Sequence, residues 1–189
     1  MTRIAIVFHS GYGHTQRAAE HVLKGCVSAG ADVELIAIDA DGNVPDTAWP
    51  ALKEADGIIF GSPTYMGGPS WQFKKFADAS SKPWYNMEWK NKVAAGFTNS
   101  ATLSGDKEST LMYLSTLAAQ HKMLWTGSGM HPSNAKAATR DHLNNLGGYR
   151  GLLVVSPSDA SVDEMIPDDL KTAEVFGANV AGVVKAVKG

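Results

Sequence analysis

Apolar residues along this chain occur in two alternating patterns. One is a short, unbroken apolar run, which is typical of a buried parallel strand covered by helices on both faces. Such runs predict strands over residues 4–8, 33–38, 56–61 and 93–97, with shorter ones at 123–125 and 152–155. Apolar residues at helical spacing lie between them and predict helices over residues 18–27, 49–54, 71–79, 109–120 and 168–187, with Gly30 as the stop of the first.

The alternation of strand and helix predicts an α/β fold. We expect a single domain over residues 1–189, with about five parallel strands in one sheet. Right-handed crossovers then place helices on both faces of that sheet, so the fold is a three-layer sandwich.

Composition and charge exclude several classes of partner. The chain has 17 Lys plus Arg against 19 Asp plus Glu, so no basic field is available for nucleic acid or for an anionic lipid surface. No apolar stretch approaches the ~20 residues that a membrane span requires. The single cysteine, Cys26, lies within the first helical pattern, where we expect a buried small hydrophobe rather than a reactive thiol. We expect a cytoplasmic protein with no membrane span and no nucleic-acid partner.

The first strand leads directly into a loop of small and hydroxyl-bearing residues and then into a helix. This loop consists of Ser10, Gly11, Tyr12, Gly13, His14 and Thr15. Free backbone N–H groups at a helix N-terminus attract anions, so the loop can hold a phosphate without Lys or Arg. It matches neither the Walker A motif nor the Gly-x-Gly-x-x-Gly motif of dinucleotide-binding proteins. The loop predicts a monophosphate site, and the alternative is an ordinary turn between strand and helix.

Two further loops follow the third and fourth strands. The residues of interest are Pro63, Thr64, Tyr65, Met66 and Gly67 in the second loop, and Thr98, Asn99, Ser100, Ala101 and Gly105 in the third. The carboxyl ends of parallel strands meet at one edge of a sheet, which is where ligands bind in open α/β folds. Together the loops offer a phosphate site, a flat aromatic side chain and polar donors. A flavin mononucleotide needs such an arrangement.

These loops resemble a known family. Residues 10–15, 61–67 and 92–100 are similar to the three FMN loops of WrbA-type NAD(P)H:quinone oxidoreductases, which are flavodoxin-like proteins related to the NADPH-dependent FMN reductases. The resemblance implies a flavodoxin-like strand order, bound FMN, and NADH or NADPH as electron donor. It also implies that Tyr12 contacts the nicotinamide, Trp84 contacts the quinone, and His121 acts at the flavin. The alternative for His121 is a plain residue at a helix C-terminus, where the dipole favours it.

The aromatic segment 84–89 has two interpretations. It covers a pocket or an oligomer interface, or it caps the edge of the sheet. The resemblance favours a homo-oligomer, either a dimer or a tetramer. The histidines predict no metal site, because no pair of them has ligand spacing supported by Cys or a carboxylate.

The leading hypothesis is an FMN-dependent NAD(P)H oxidoreductase that reduces quinones or similar small acceptors. A flavodoxin-type electron carrier without nicotinamide activity is the second hypothesis, although a net charge of −2 offers little steering toward a protein partner. The third is a flavin-free scaffold with the same fold.

Overall fold

A computed structural model describes all residues from 1 to 189. In chain order its strands are β1 (Arg3–His9), β2 (Asp32–Ile38), β3 (Gly57–Tyr65), β4 (Gly68–Pro69), β5 (Val93–Ser100), β6 (Leu124–Trp125) and β7 (Leu152–Val155). Its helices are α1 (His14–Ser28), α2 (Ala48–Glu54), α3 (Trp71–Ala79), α4 (Ser81–Tyr85), α5 (Lys107–Gln120) and α6 (Pro167–Lys188), with a 3₁₀ turn at Val162–Glu164 before α6. The predicted elements are all present.

The central sheet is parallel and has the order β2-β1-β3-β5-β6. This is the flavodoxin-like order, in which the chain reverses direction across the sheet between β1 and β3. The fifth position is shared by two short strands, since β6 pairs with the start of β5 and β7 pairs with its end. Residues 126–151 leave the sheet between these two strands, so the single fifth strand expected of the fold is divided here.

The strands that carry the second and third loops are longer than predicted. Residues 63–65 belong to β3 and residues 98–100 belong to β5. The two strands remain paired this far, with Ser62 opposite Thr98 and Pro63 opposite Asn99. Several predicted loop residues are therefore held rigidly by the sheet.

Helices cover both faces of the sheet and bury two cores. Ile4, Ile6 and Phe8 face α1 and α6, whereas Ala5 and Val7 face the helices of the opposite layer. This alternation explains why residues 4–8 of β1 are all apolar, because both sides of the strand are buried there.

The layer of α1 and α6 depends on a close helix contact. A Cβ atom at Gly177 would lie 2.1 Å from the backbone oxygen of Val22, so only glycine fits there. The Cys26 thiol donates to the Gly177 carbonyl at 3.2 Å, and burial raises the pKa of Cys26 to about 12. The prediction that Cys26 is a buried, unreactive hydrophobe agrees with this placement.

No helix of the chain is both long and apolar enough to cross a membrane. No group of three or more His, Cys, Asp or Glu side chains is positioned to hold a metal ion.

Candidate functional site

The loops after β1, β3 and β5 meet at the carboxyl edge of the sheet around a cavity of about 690 Å³. Its walls consist of Tyr12, His14, Thr15, Pro63, Thr64, Tyr65, Asn99, Ser100, Ala101, Ser156, Pro157, Ser158, Ala160, Ser161 and Val162. This volume lies in the range of small-molecule sites. The structure therefore brings the three predicted loops together.

The loop between β1 and α1 is shaped to bind an anion. Gly13 has φ of +89° at the N-terminus of α1, and its N–H donates to the Ser10 hydroxyl at 3.1 Å. No side chain caps this helix, so the N–H groups of its first turn have no partner within it. The nearest basic side chain along the chain, Arg17, lies 3.7 Å from the carboxylate of Glu20. An anion here would be bound by backbone N–H groups and hydroxyls.

Two tyrosines form an aromatic wall beside this loop. The rings of Tyr12 and Tyr65 meet edge to face, with centroids 6.4 Å apart and planes at 74°. Burial raises the pKa of Tyr65, and the nearby Tyr12 hydroxyl raises it further, so Tyr65 is a neutral phenol at neutral pH. The wall offers an apolar surface to a planar ligand.

Threonine hydroxyls form the base of the site. The Thr64 hydroxyl lies 2.8 Å from that of Thr98 and 2.7 Å from that of Thr110, and all three side chains are buried. Next to them, the Asn99 amide donates to the Ser156 hydroxyl at 2.8 Å. These bonds join β3, β5, α5 and the segment after β7, which makes the base rigid.

A fourth wall, formed by residues 156–162, was not predicted. The His14 ring donates through Nε2 to the Ala160 carbonyl at 2.9 Å, since a carbonyl oxygen can only accept. Ser161 and Glu164 form a reciprocal cap that fixes the start of the following 3₁₀ turn. The sequence did contain a signal for this wall, because Ser156, Ser158 and Ser161 follow the predicted strand at residues 152–155.

The remaining predicted cofactor contacts lie outside the cavity walls. Ser10, Gly11 and Gly13 belong to the backbone of the phosphate loop, and Thr98 lies behind Thr64. Met66 and Gly67 form an exposed turn between β3 and β4, both with positive φ. Gly105 packs against Ser100, which itself lines the cavity. Their contacts with a cofactor remain predictions.

His121 and Trp84 do not line this cavity, and their roles at the flavin and the quinone remain predictions. Helix α5 begins at the cavity edge of the sheet and has 14 residues, so its C-terminus lies roughly 21 Å away, at the opposite edge. There His121 is 3% exposed, stacks on Trp89 at 4.1 Å and hydrogen bonds to the Ser80 hydroxyl at 2.9 Å. Trp84 lies at the same edge, with the Lys122 ammonium 4.9 Å from its ring.

The cavity fits flavin mononucleotide. Its phosphate loop has unpartnered N–H groups, its two tyrosine rings offer apolar surface, and its base and rim present amide and hydroxyl groups. A dinucleotide or a nucleoside triphosphate would need a basic side chain or a second phosphate loop, and neither lines these walls.

Comparison with known proteins gives the family. The family model described as NADPH-dependent FMN reductase matches residues 5–150. The chain is 46% identical over 183 residues to Flavodoxin FldP of Pseudomonas aeruginosa, covering 97% of each chain. It is 31% identical over 204 residues to an NAD(P)H dehydrogenase (quinone) of Archaeoglobus fulgidus, covering 98% of each.

A solved structure supports the same assignment. The crystal structure of a flavodoxin, WrbA-like protein from Agrobacterium tumefaciens is similar with a TM-score of 0.80 and 47% sequence identity, covering 98% of this chain and 99% of that one. The family indicates FMN as the cofactor and NAD(P)H as the electron donor. The chain belongs to the NADPH-dependent FMN reductase family, in its flavodoxin-like, WrbA-type branch.

Proposed function

We propose that the protein is an FMN-dependent NAD(P)H oxidoreductase that reduces quinones or similar small acceptors. The observation that carries this proposal is the cavity itself, where an uncapped helix N-terminus, a tyrosine wall and a polar rim face one open space. Relatives named NAD(P)H dehydrogenase (quinone) support the acceptor class.

Bound FMN would supply two-electron chemistry between a nicotinamide and a quinone. The chain's own residues would bind and orient it. The unpartnered N–H groups of residues 11, 12, 14 and 15 would hold the phosphate, and Tyr65 would lie against the ring. Asn99, fixed by Ser156, would present its amide to the ring's polar edge.

The open side of the cavity would admit both the donor and the acceptor. Tyr12 is 79% exposed at the mouth, where its ring offers a stacking surface to a nicotinamide or a quinone. No histidine or cysteine of the walls is arranged as a nucleophile and base pair, so the residues serve to position the reactants.

Electron transfer between proteins is the second candidate function. The relative named Flavodoxin FldP, at 46% identity, favours it. Such a carrier would bind FMN in the same cavity but would receive its electrons from a protein partner rather than from a nicotinamide.

One experiment separates the two functions. The protein is loaded with FMN, freed of excess flavin and mixed anaerobically with NADH or NADPH while the visible flavin band is followed. Rapid bleaching by either nicotinamide, reversed by benzoquinone, supports the oxidoreductase. Flavin that remains oxidised with both nicotinamides, but is reduced by dithionite, supports the carrier and contradicts our proposal.

We also propose a homo-oligomer. Trp84, Tyr85 and Met87 form a partly exposed apolar surface at the edge opposite the cavity, and apolar side chains of this size are enriched at interfaces. Light scattering of the wild type and of a Trp84→Ser/Tyr85→Ser variant tests this. A dimeric or tetrameric wild type and a smaller variant are expected, and a monomeric wild type would contradict the proposal.

A further inference from the structure

Lys107 is almost completely buried, although it lies in the first turn of α5 next to an exposed loop. Its side chain is 1% exposed, which is rare for lysine. The ammonium donates to three successive backbone carbonyls of the loop before the helix, those of Thr102, Leu103 and Ser104. The distances to the Leu103 and Ser104 oxygens are 3.1 Å and 3.5 Å. The loop is thus folded around a single buried ammonium.

This arrangement determines where the N–H groups of the loop point. In a planar trans peptide the C=O and N–H bonds are antiparallel. Because three carbonyls turn toward the Lys107 ammonium, the N–H groups of Leu103, Ser104 and Gly105 turn away from it. None of these N–H groups has an acceptor within the chain, and residues 102–104 are exposed. The loop therefore presents three free donors.

Local contacts hold the same conformation. Gly105 has φ of +52°, and a Cβ atom there would lie 2.0 Å from the Ser100 hydroxyl oxygen. The Ser100 hydroxyl donates to the Thr102 carbonyl at 3.3 Å. Since Ser100 and Ala101 line the cavity, the loop that Lys107 organises is continuous with the cavity rim.

No carboxylate forms an ion pair with the ammonium. Asp169 of α6, whose charge acts on the ammonium, accepts from Arg140 at 2.9 Å and from the Val155 N–H at 3.0 Å. Burial lowers the pKa of Lys107 to about 8, while the charge of Asp169 raises it and that of Arg140 lowers it. The side chain is therefore mainly charged at neutral pH. A buried charge stabilised only by loop carbonyls is costly, and a polar group retained at such a cost often serves a function.

We propose that Lys107 is a positioning residue of the flavin site, whose ammonium holds the loop 100–105 so that its N–H groups meet the electron-rich edge of the flavin ring. This inference rests on the proposed function. Lys107 contacts the loop carbonyls and not the cofactor. Through this loop Lys107 affects the binding of the flavin ring. The phosphate is bound by the separate loop at residues 10–15.

Two variants and a matched control test the inference. Lys107→Met removes the charge and keeps the length of the side chain, and Lys107→Arg keeps the charge. Lys92→Met is the control, because Lys92 is a partly buried lysine whose ammonium likewise donates to backbone carbonyls, those of Lys53 and Ala55, but at the opposite edge of the sheet. Thermal unfolding of all three verifies that they fold.

The readouts are the affinities for FMN and for riboflavin and the midpoint potential of the bound flavin. We expect Lys107→Met to weaken both affinities by about tenfold, because hydrogen bonds that depend on a charge are lost at the ring. Its flavin should also have a more negative potential, since fewer donors stabilise the reduced ring. Lys107→Arg should recover most of both losses, and Lys92→Met should match the wild type.

The pH dependence of wild-type binding gives an independent readout. Flavin affinity should fall as the pH rises through about 8, where Lys107 loses its charge, and it should be flat in Lys107→Arg. Asp169 and Arg140 are the other charged groups that act on the ammonium.

Two results would overturn the inference. One is a folded Lys107→Met variant with wild-type affinities and potential, and the other is an equal loss in Lys92→Met. If Lys107→Met does not fold, a flat wild-type pH profile overturns it. A wild type that binds no flavin at all would instead overturn the proposed function, and with it this inference.

Discussion

The hydroxyl group of Tyr65 lies directly over Gly11 of the phosphate loop. A Cβ atom at residue 11 would come within 2.5 Å of the Tyr65 hydroxyl oxygen. The aromatic wall and the anion site are thus in contact, and the absence of a side chain at residue 11 permits it.

This contact predicts coupling between the two residues. Gly11→Ala should push the Tyr65 ring from its place and weaken FMN binding by about 1 kcal/mol, or roughly fivefold. Tyr65→Ala should also weaken binding, through loss of the ring surface. In the double variant the alanine at 11 meets no ring, so its additional effect should vanish. FMN fluorescence titrations of the wild type, the two single variants and the double variant measure this coupling. If the losses of binding free energy in the single variants add up in the double variant, the contact is contradicted.

The hydroxyl cluster under the cavity should contribute to stability. Thr64→Val leaves the buried Thr98 and Thr110 hydroxyls without their shared partner, so it should lower the free energy of unfolding by about 1–3 kcal/mol. Replacing all three threonines with valine should cost less than the sum of the single changes.

Urea unfolding of the apoprotein measures these effects. Thr116→Val is the matched control, because that exposed hydroxyl bonds only to the Met112 carbonyl of its own helix. Its effect should lie within about 0.5 kcal/mol. A Thr64→Val variant as stable as the control would show that the cluster adds nothing.

His121 should make the fold sensitive to acid. Burial lowers its pKa from 6.5 to about 4, so the unfolded chain binds its proton more readily than the folded chain does. The stabilisation is fully present above pH 6.5 and is lost as the pH falls toward 4, by roughly 3 kcal/mol. The free energy of unfolding against pH should therefore be flatter for His121→Phe, which keeps a ring against Trp89.

His131→Phe is the control for that profile, since His131 is exposed. It should follow the wild type between pH 4 and 6.5. If His121→Phe shows the same loss of stability as the wild type, the histidine is not the group that titrates.

Cys26 should be inert in the folded protein. Its thiol is buried, donates to Gly177 and has a pKa of about 12, so almost no thiolate forms at neutral pH. A colorimetric thiol reagent should react with it only after denaturant unfolds the chain. Stoichiometric reaction under native conditions would contradict the placement of Cys26 between α1 and α6.

The fold could be predicted because buried parallel strands and amphipathic helices have distinct apolar patterns. The run at residues 4–8 indicates β1 by itself. The division of the fifth strand could not be predicted. Strand β6 has only two residues, and so short a segment has no apolar pattern that identifies the strand it pairs with. The ends of β3 and β5 were missed because Pro63 and Asn99 are residue types depleted in strands, and they are held there by pairing with each other.

The site was predictable wherever a loop follows directly on a strand. Strand direction alone brings Thr15, Tyr65 and Asn99 to one edge. The same rule places His121 at the opposite edge, because a crossover helix returns the chain there before that residue. Lys107 carries no sequence signal, since a lysine in the first turn of a helix is normally solvated, and only the folded loop shows what surrounds it.

The most direct test of this account is a crystal structure of the protein with FMN bound. We expect the phosphate within hydrogen-bond distance of the unpartnered N–H groups of residues 11, 12, 14 and 15. The ring should lie in the cavity between Tyr65 and the rim at residues 99–101. A phosphate elsewhere, or a ring bound at the edge that carries Trp84 and His121, would contradict the proposed site.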